Sequence, residues 1–414
     1  MSSRRVVVTG LGVVTALGCN EEALWSRMMA GETGIDRITQ IDVSEYKSQN
    51  GAEVDGDELV DELARRKINA MDRTVDMGML ASAKALEQAG LIDGEPPYEK
   101  QAVGTLFATG AGNGHSVFEA FMRFEEMRAK GIRPTTVPRC MVNSTSAQIS
   151  MRFGLTGPNY MIICACSSAT VAIGTAFRSI RDGYADTVLC GGTEAIFDLG
   201  TFGAWNKLGV LSKNPDGMTA CRPFDQDRDG TILGEGAGAL VLESEEHAAA
   251  RSASVRAEVI GYGDGSDAAH ITRPDSAGQV ATIRRALACA ELEPTDVGFV
   301  NAHGTATKSN DSCESESIRA ALGSAADGIP VGSSKPFIGH LLGASGAVES
   351  IITILGLEQR RVPANLNLDN PDPLFDLPFV GPEPMIVESP VAMNNSFGFG
   401  GNNAVLIFRR WEQA

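Results

Sequence analysis

The chain holds eight cysteines but no CxxC pair and no cluster of cysteine with histidine. A structural zinc site draws its ligands from such closely spaced pairs, so none is expected, and no other metal either. Several cysteines lie inside apolar runs, as Cys190 does in Thr-Val-Leu-Cys-Gly-Gly. They read as reduced thiols, and the expected compartment is cytoplasmic. Positive charge is scarce as well: 35 Lys and Arg face 52 Asp and Glu, a net charge of −17. A general nucleic-acid binder or a coat for anionic membranes needs the opposite balance. No apolar run approaches the roughly 18 residues of a membrane span. Arg4-Arg5, then Val6 to Gly18, then Cys19 imitates a short lipoprotein leader. Gly10 and Gly12 interrupt it, and Val-Val-Val-Thr-Gly reads as a buried strand entering a turn.

What is present is core and glycine. With 414 residues, 43% of them hydrophobic, the chain can bury a large interior. Its 46 glycines recur where short apolar runs end, a strand–turn–helix rhythm that predicts a layered α/β protein. Strands are expected at Val6–Thr9, Val103–Ala108, Tyr160–Cys164, Thr187–Cys190, Ala239–Leu242, Val255–Ile260, Val297–Asn301, Met393–Phe397 and Ala404–Phe408. Helical periodicity marks Thr74–Gln88, Ser168–Arg181 and Ala347–Glu358. The pattern runs twice, with a polar, helix-prone stretch near 244–254 between the two runs. The expected division is 1–250 and 251–414.

Two motifs that imitate ligand loops are set aside. Gly110-Ala-Gly112-Asn-Gly114 is not GxGxxG and lacks a P-loop lysine, so it reads as a tight turn. Asp225-x-Asp227-x-Asp229-Gly230 opens like a calcium loop, but its twelfth position is Gly236. Ile163-Cys164-Ala165-Cys166-Ser167-Ser168 is sharper. Here a strand meets a helix through small residues, and a thiol at that turn faces free N–H groups that stabilise a thiolate and an oxyanion. Cys166 sits at the turn; Cys164, two residues back, reads as inert core. Of only five histidines, His303 and His340 stand beside glycines at strand ends, while His115 and His247 read as surface. Lys335 lies five residues before His340. One thiol and two imidazoles make a nucleophile with two hydrogen-bond donors.

These motifs, together with Arg222-Pro-Phe-Asp-x-Asp-Arg-Asp-Gly and Asn395-Ser-Phe397-Gly-Phe399-Gly-Gly, closely resemble the β-ketoacyl-ACP synthases along essentially the whole chain. The resemblance implies the thiolase fold, two similar halves in a five-layered αβαβα arrangement. It implies an acyltransferase that performs decarboxylative Claisen condensation of malonyl-ACP in fatty acid or polyketide assembly. Cys166 then carries the acyl chain and His303 and His340 bind the malonyl thioester. Lys335, paired with Glu314, orders the site, with Asp311 in support. Phe399 gates the site and offers its N–H to the oxyanion hole. Thr305 and Thr307 meet the phosphopantetheine arm, and Phe202 meets substrate. No cofactor of its own is implied, because phosphopantetheine arrives on the acyl carrier protein. That acidic partner is expected to dock at Arg65, Arg66 and Lys67. The assembly is either a homodimer or a heterodimer with a chain-length-factor paralogue.

Asn310-Asp311 is more like the type II polyketide ketosynthases than the housekeeping enzymes, so a ketosynthase subunit working with a chain-length factor is the main alternative. A thiolase is the remote one. It would need a second cysteine as base near the C-terminus, and the last cysteine is Cys313.

Overall fold

The computed structural model describes residues 4–69 and 71–412. Ten strands build the main sheet: β1 (Val6–Val14), β2 (Gly104–Ala108), β3 (Asn159–Ile162), β4 (Thr187–Glu194), β5 (Gly236–Ser244), β6 (Ala257–Ser266), β7 (Phe299–Asn301), β8 (Val331–Gly332), β9 (Val391–Gly398) and β10 (Asn402–Arg410). Their order is β8-β7-β9-β10-β6-β1-β5-β4-β2-β3. Read outward-in, each half therefore runs third, second, fourth, fifth, first. Within each half the outer pairs are parallel and the inner ones antiparallel. The halves join where Val6, Val7 and Val8 pair antiparallel with Val259, Glu258 and Ala257.

Five helices layer this sheet: α1 (Arg73–Gln88), α2 (Ser168–Arg181), α3 (Ser276–Ala290), α4 (Lys308–Leu322) and α5 (Ser345–Gln359). Helix α1 packs on β1, β5 and β4; α3 packs on β6 and β10, with α4 beside it. Helices α2 and α5 touch strands of both halves and each other, so they form the middle layer of an αβαβα stack. The buried side chains follow the layers. One apolar cluster holds Leu11, Ile173, Phe177, Ile351 and Leu406 between the halves. Two more lie under α1 and under α3 and α4.

The glycines that break the leader-like run have a packing role. A Cβ on Gly10 or Gly12 would lie 2.1 Å from Ala85 O and 2.0 Å from Ala81 O of α1. In β6, a Cβ on Gly261 or Gly263 would lie 2.6 Å from Ala286 O and 2.2 Å from Thr282 O of α3. Both halves thus press an outer helix onto their first strand through paired bare backbone positions, a close approach only glycine permits.

The glycine-rich turn at 110–114 holds a carboxylate. Buried Glu194, at the end of β4, accepts N–H bonds from Gly110 (2.6 Å), Ala111 (3.0 Å) and Gly343 (2.8 Å). Gly343 precedes α5, so this bond ties the first half to the loop that carries His340.

Candidate active site

The chain leaves β3 at Ile162 and reaches α2 through a turn in which Ala165 sits at φ +52°. That left-handed conformation is sterically costly for alanine. Two serines close the turn: Ser167 Oγ donates to Cys164 O (2.8 Å) and Ser168 Oγ to Ala165 O (2.6 Å). Cys166 is thereby held ahead of the first turn of α2, where backbone N–H groups lack helical partners. It is 6% exposed. Cys164, expected in the core, is half-buried instead.

The histidines come from the other half. His303 follows β7 in a loop fastened by α4. Glu314 accepts the N–H of His303 (2.7 Å) and of Gly304 (2.8 Å), and Asp311 that of Thr305 (3.1 Å). His340 follows Gly339, which adopts φ +71°. Its N–H donates to Ile232 O (2.7 Å) and its carbonyl accepts from Gly234 (3.0 Å), which seats it on the first half. The three groups converge: His340 Nε2 is 3.1 Å from Cys166 Sγ, and the two rings meet edge to face at 5.2 Å between centroids.

Lys335 is fully buried, and its partner differs from the expected one. The ammonium pairs with Glu349 of α5 at 2.5 Å, bonds the carbonyl of His303 and lies 3.4 Å from His303 Nδ1. Glu314 is occupied by backbone N–H groups and by Asn310 (3.2 Å) and Asn395 (3.3 Å). An ammonium has only protons to give, so His303 Nδ1 accepts and its proton sits on Nε2. Burial, reinforced by the Lys335 charge, holds both histidines well below the ordinary imidazole range. Both rings are therefore neutral at pH 7. Burial pushes the Cys166 thiol up to about 11, against the pull of Lys335 and of the Phe399 N–H. Burial likewise raises Glu314 to about 7 and Asp311 to about 6, against their N–H donors.

Cys166, His303 and His340 lie at the floor of a cavity of about 730 Å³ counted to its open mouth. Thr305, Thr307 and Phe399 line its wall; the two threonine hydroxyls are 2.9 Å apart. The Phe399 ring stacks on Trp205 at 5.9 Å, and the glycines that follow it, Gly400 and Gly401, adopt φ +81° and +73°, which frees this corner from β-carbon strain. Phe202 does not line the open cavity. It is fully buried beside Tyr46 and Phe197, in the apolar cluster that also contains Cys166. The sequence reading missed the mouth: the exposed His270, Ile271 and Arg273 line it along with Thr272 and Trp205. No motif distinguished that loop.

The basic cluster is an ion-pair network. Arg65 and Arg66 share Glu62 (2.6 and 2.7 Å), Arg66 also meets Glu87 (3.0 Å), and Lys67 meets Glu95 (2.5 Å). By contrast Lys207, Lys213 and Arg273 have no carboxylate partner among the described residues. They belong to segments that line the mouth through Trp205, Val210 and Thr272.

Known proteins match this architecture. The β-ketoacyl synthase N-terminal domain family matches residues 3–248 and the C-terminal domain family residues 256–369. A 3-oxoacyl-[acyl-carrier-protein] synthase 2 from Synechocystis is 37% identical over 100% of this chain and 99% of its own. The solved ishigamide ketosynthase/chain length factor superposes with a TM-score of 0.91 at 33% identity, covering 99% of this chain and 100% of that one. A type II PKS ketosynthase, solved in complex with its acyl-carrier protein and bound to the hexaketide, superposes with a TM-score of 0.88 at 29% identity, covering 99% and 100%. With a thiolase-fold stack, a thiol and two neutral imidazoles at its centre, and full-length similarity of this kind, the chain belongs to the β-ketoacyl synthases, condensing enzymes of the acyltransferase class.

Proposed function

We propose that the chain condenses an acyl group held on Cys166 with a malonyl unit delivered by an acyl carrier protein. The observation that carries this is a buried thiol 3.1 Å from a neutral imidazole, at a helix N-terminus, with a second neutral imidazole beside it. In the first step Cys166 sulfur attacks the acyl thioester carbonyl and the carrier thiol leaves with the cysteine proton, passed through His340. The N–H groups of Cys166 and Phe399 face the developing oxyanion. Next, the malonyl C–CO₂ bond breaks, carbon dioxide departs, and its electron pair becomes a thioester enolate. Imidazole N–H groups on His303 and His340 stabilise that charge, which is absent in the ground state. The enolate carbon attacks the acyl thioester, Cys166 leaves as thiolate, and the product is a 3-oxoacyl thioester.

Lys335 with Glu349 sets the tautomer of His303, and Glu314 and Asp311 hold its loop. Thr305 and Thr307 hydrogen-bond the phosphopantetheine arm, which arrives on the carrier, so the enzyme needs no cofactor of its own. Phe399 swings to admit the acyl chain toward Phe202. Residues 1–250 supply the nucleophile and 251–414 the histidines. For docking we assign Lys207, Lys213 and Arg273 at the mouth, because unpaired cations attract an acidic carrier more than the ion-paired Arg65, Arg66 and Lys67 do.

A second chain of this family covers the apolar face of the first half. Phe121, Met122, Val137, Met151, Tyr160 and Ile163 are all more than half exposed there, beside the free edge of β3. Exposed apolar area next to an unpaired edge marks an interface. A self-copy and a chain-length-factor paralogue both fit it. Among the described residues no helix is long and apolar enough to cross a membrane, in keeping with an enzyme of the cytoplasm.

The test is incubation with acyl-ACP and labelled malonyl-ACP. Release of carbon dioxide, a 3-oxoacyl-ACP product and an acyl mass on the Cys166 peptide are expected. Carbon dioxide release without carbon–carbon bond formation would reduce the chain to a decarboxylating partner subunit.

A further inference from the structure

His340 has two ring nitrogens and only Nε2 faces the reaction. Nδ1 lies 2.9 Å from Ser345 Oγ, its one hydrogen-bond partner among the described residues. Ser345 opens α5 and is fully buried. Its hydroxyl does not cap that helix: the N-cap is Ala344, with no side-chain cap bond. A tight turn through Leu342, held at φ +46°, and Ala344, whose N–H bonds Leu341 O (2.9 Å), brings position 345 back under the ring. The hydroxyl has no other partner among the described residues, so its single proton is free for the imidazole.

A neutral imidazole carries one proton, and whichever nitrogen accepts a bond decides where it sits. At His303 the Lys335 ammonium settles the matter. Among the described residues no cation hydrogen-bonds His340 Nδ1; a hydroxyl does. We propose that Ser345 is a positioning residue that sets the tautomer of His340: once Cys166 is acylated it donates to Nδ1 and so keeps the N–H on Nε2, aimed at the malonyl thioester. The inference rests on the condensing function proposed above. A hydroxyl also suits the preceding step better than a cation would. Before acylation Ser345 accepts from Nδ1–H, which leaves the Nε2 lone pair free to take the thiol proton; the ring is a cation until Nε2 passes that proton to the departing carrier thiol. An ammonium there would oppose that charge. The two histidines thus differ in role because their Nδ1 partners differ: Lys335 fixes one as a donor, and Ser345 lets the other alternate.

The experiment is ¹⁵N NMR of the full-length enzyme labelled on histidine, acylated on Cys166 with a short acyl pantetheine thioester. With five histidines, His340→Ala identifies the resonances. A protonated Nε2 and a hydrogen-bonded, unprotonated Nδ1 are expected in the wild type and in Ser345→Thr. Ser345→Ala should lose the Nδ1 signature. Its kcat for malonyl thioester decarboxylation should fall about tenfold, as expected for one lost hydrogen bond to a reacting group, with KM unchanged and with Ser345→Thr restoring the rate. A wild-type acyl-enzyme with the proton on Nδ1 overturns the proposal without any variant. So does a Ser345→Ala enzyme that decarboxylates at the wild-type rate. A wild type that cannot be acylated on Cys166 overturns the condensing function and this inference with it.

Discussion

The nucleophile raises a conflict that an experiment can decide. A helix N-terminus favours the thiolate of Cys166, whereas burial pushes its thiol up to about 11. At pH 7.5 a thiol of that strength is ionised to about 3 parts in 10⁴, some 300-fold less than an unperturbed cysteine near 8.5. Alkylation by iodoacetamide uses the thiolate, so its rate at Cys166 should climb about tenfold per pH unit from 7 to 10. Acylation by a thioester should behave differently. His340 Nε2 stands 3.1 Å from the sulfur and is neutral, so it can take the proton as attack proceeds, and the acylation rate should be nearly flat over the same range. His340→Ala should make acylation as steep as alkylation. Mass spectrometry of the Cys166 peptide reads both rates, with Cys164 as internal comparison. Alkylation that levels off near pH 8 would mean that the helix terminus outweighs burial, and the general-base assignment would lose its reason.

Cys166→Ala should abolish condensation and Cys164→Ala should keep most of it, measured as 3-oxoacyl-ACP formed. His303→Ala should cut malonyl decarboxylation about 10²–10³-fold, the effect of one oxyanion donor, while acylation of Cys166 persists; lost acylation with intact decarboxylation would reverse the roles. Charge reversal at Lys207 and Arg273 should raise KM for acyl-ACP but not for a small pantetheine thioester, and reversal at Arg66 and Lys67 should instead lower Tm, because it breaks the pairs with Glu62, Glu87 and Glu95. His303 and His340 bind a proton less readily folded than unfolded. The stability they contribute is therefore present above the unfolded value of 6.5 and is lost as pH falls below it. The Tm difference between pH 8 and pH 5 should shrink in the double variant His303→Ala with His340→Ala, and an unchanged difference would contradict neutral rings.

The sequence and the structure agree where a residue's partner is its own backbone or a periodic face. All nine expected strands fall on strands of the sheet, and Ser168–Arg181 has its expected limits. Disagreement arises where a partner comes from another element. Glu349 sits in the apolar face of α5 and nothing nearby marks it as the mate of a lysine. Glu314, equally buried, serves backbone N–H groups instead. Arg66 and Lys67 are held in addition by Glu87 and Glu95 respectively, which come from separate segments. The extent of β6, which runs to Ser266, was hidden by the glycines that let α3 approach.

The repeated topology explains why the chemistry lies where it does. In each half the middle-layer helix begins at the centre of the molecule, α2 behind Cys166 and α5 behind His340. The outer helices meet the same sheets through the glycine pairs 10/12 and 261/263, which leaves the inner faces to pack α2 against α5. Two helix N-termini thus converge on one buried spot. An apolar interior there would leave N–H groups without partners, at the cost of about 1–3 kcal/mol for each one buried. An oxyanion answers them, and so does a carboxylate such as Glu194, which takes the N–H of Gly343 ahead of α5. The division of labour follows. The first half spends its helix terminus on a nucleophile. The second places its own behind the loop of His340, whose imidazole, like that of His303, is kept neutral by burial and by the charge of Lys335, itself paired with Glu349. Replacing the pair together, Lys335→Met with Glu349→Gln, removes the buried charge without leaving an uncompensated partner. The Lys335 field on both histidines then disappears, and the decarboxylation rate should gain a pH dependence near neutrality that the wild type lacks. A variant whose pH–rate profile still matched the wild type would show that burial alone keeps the rings neutral.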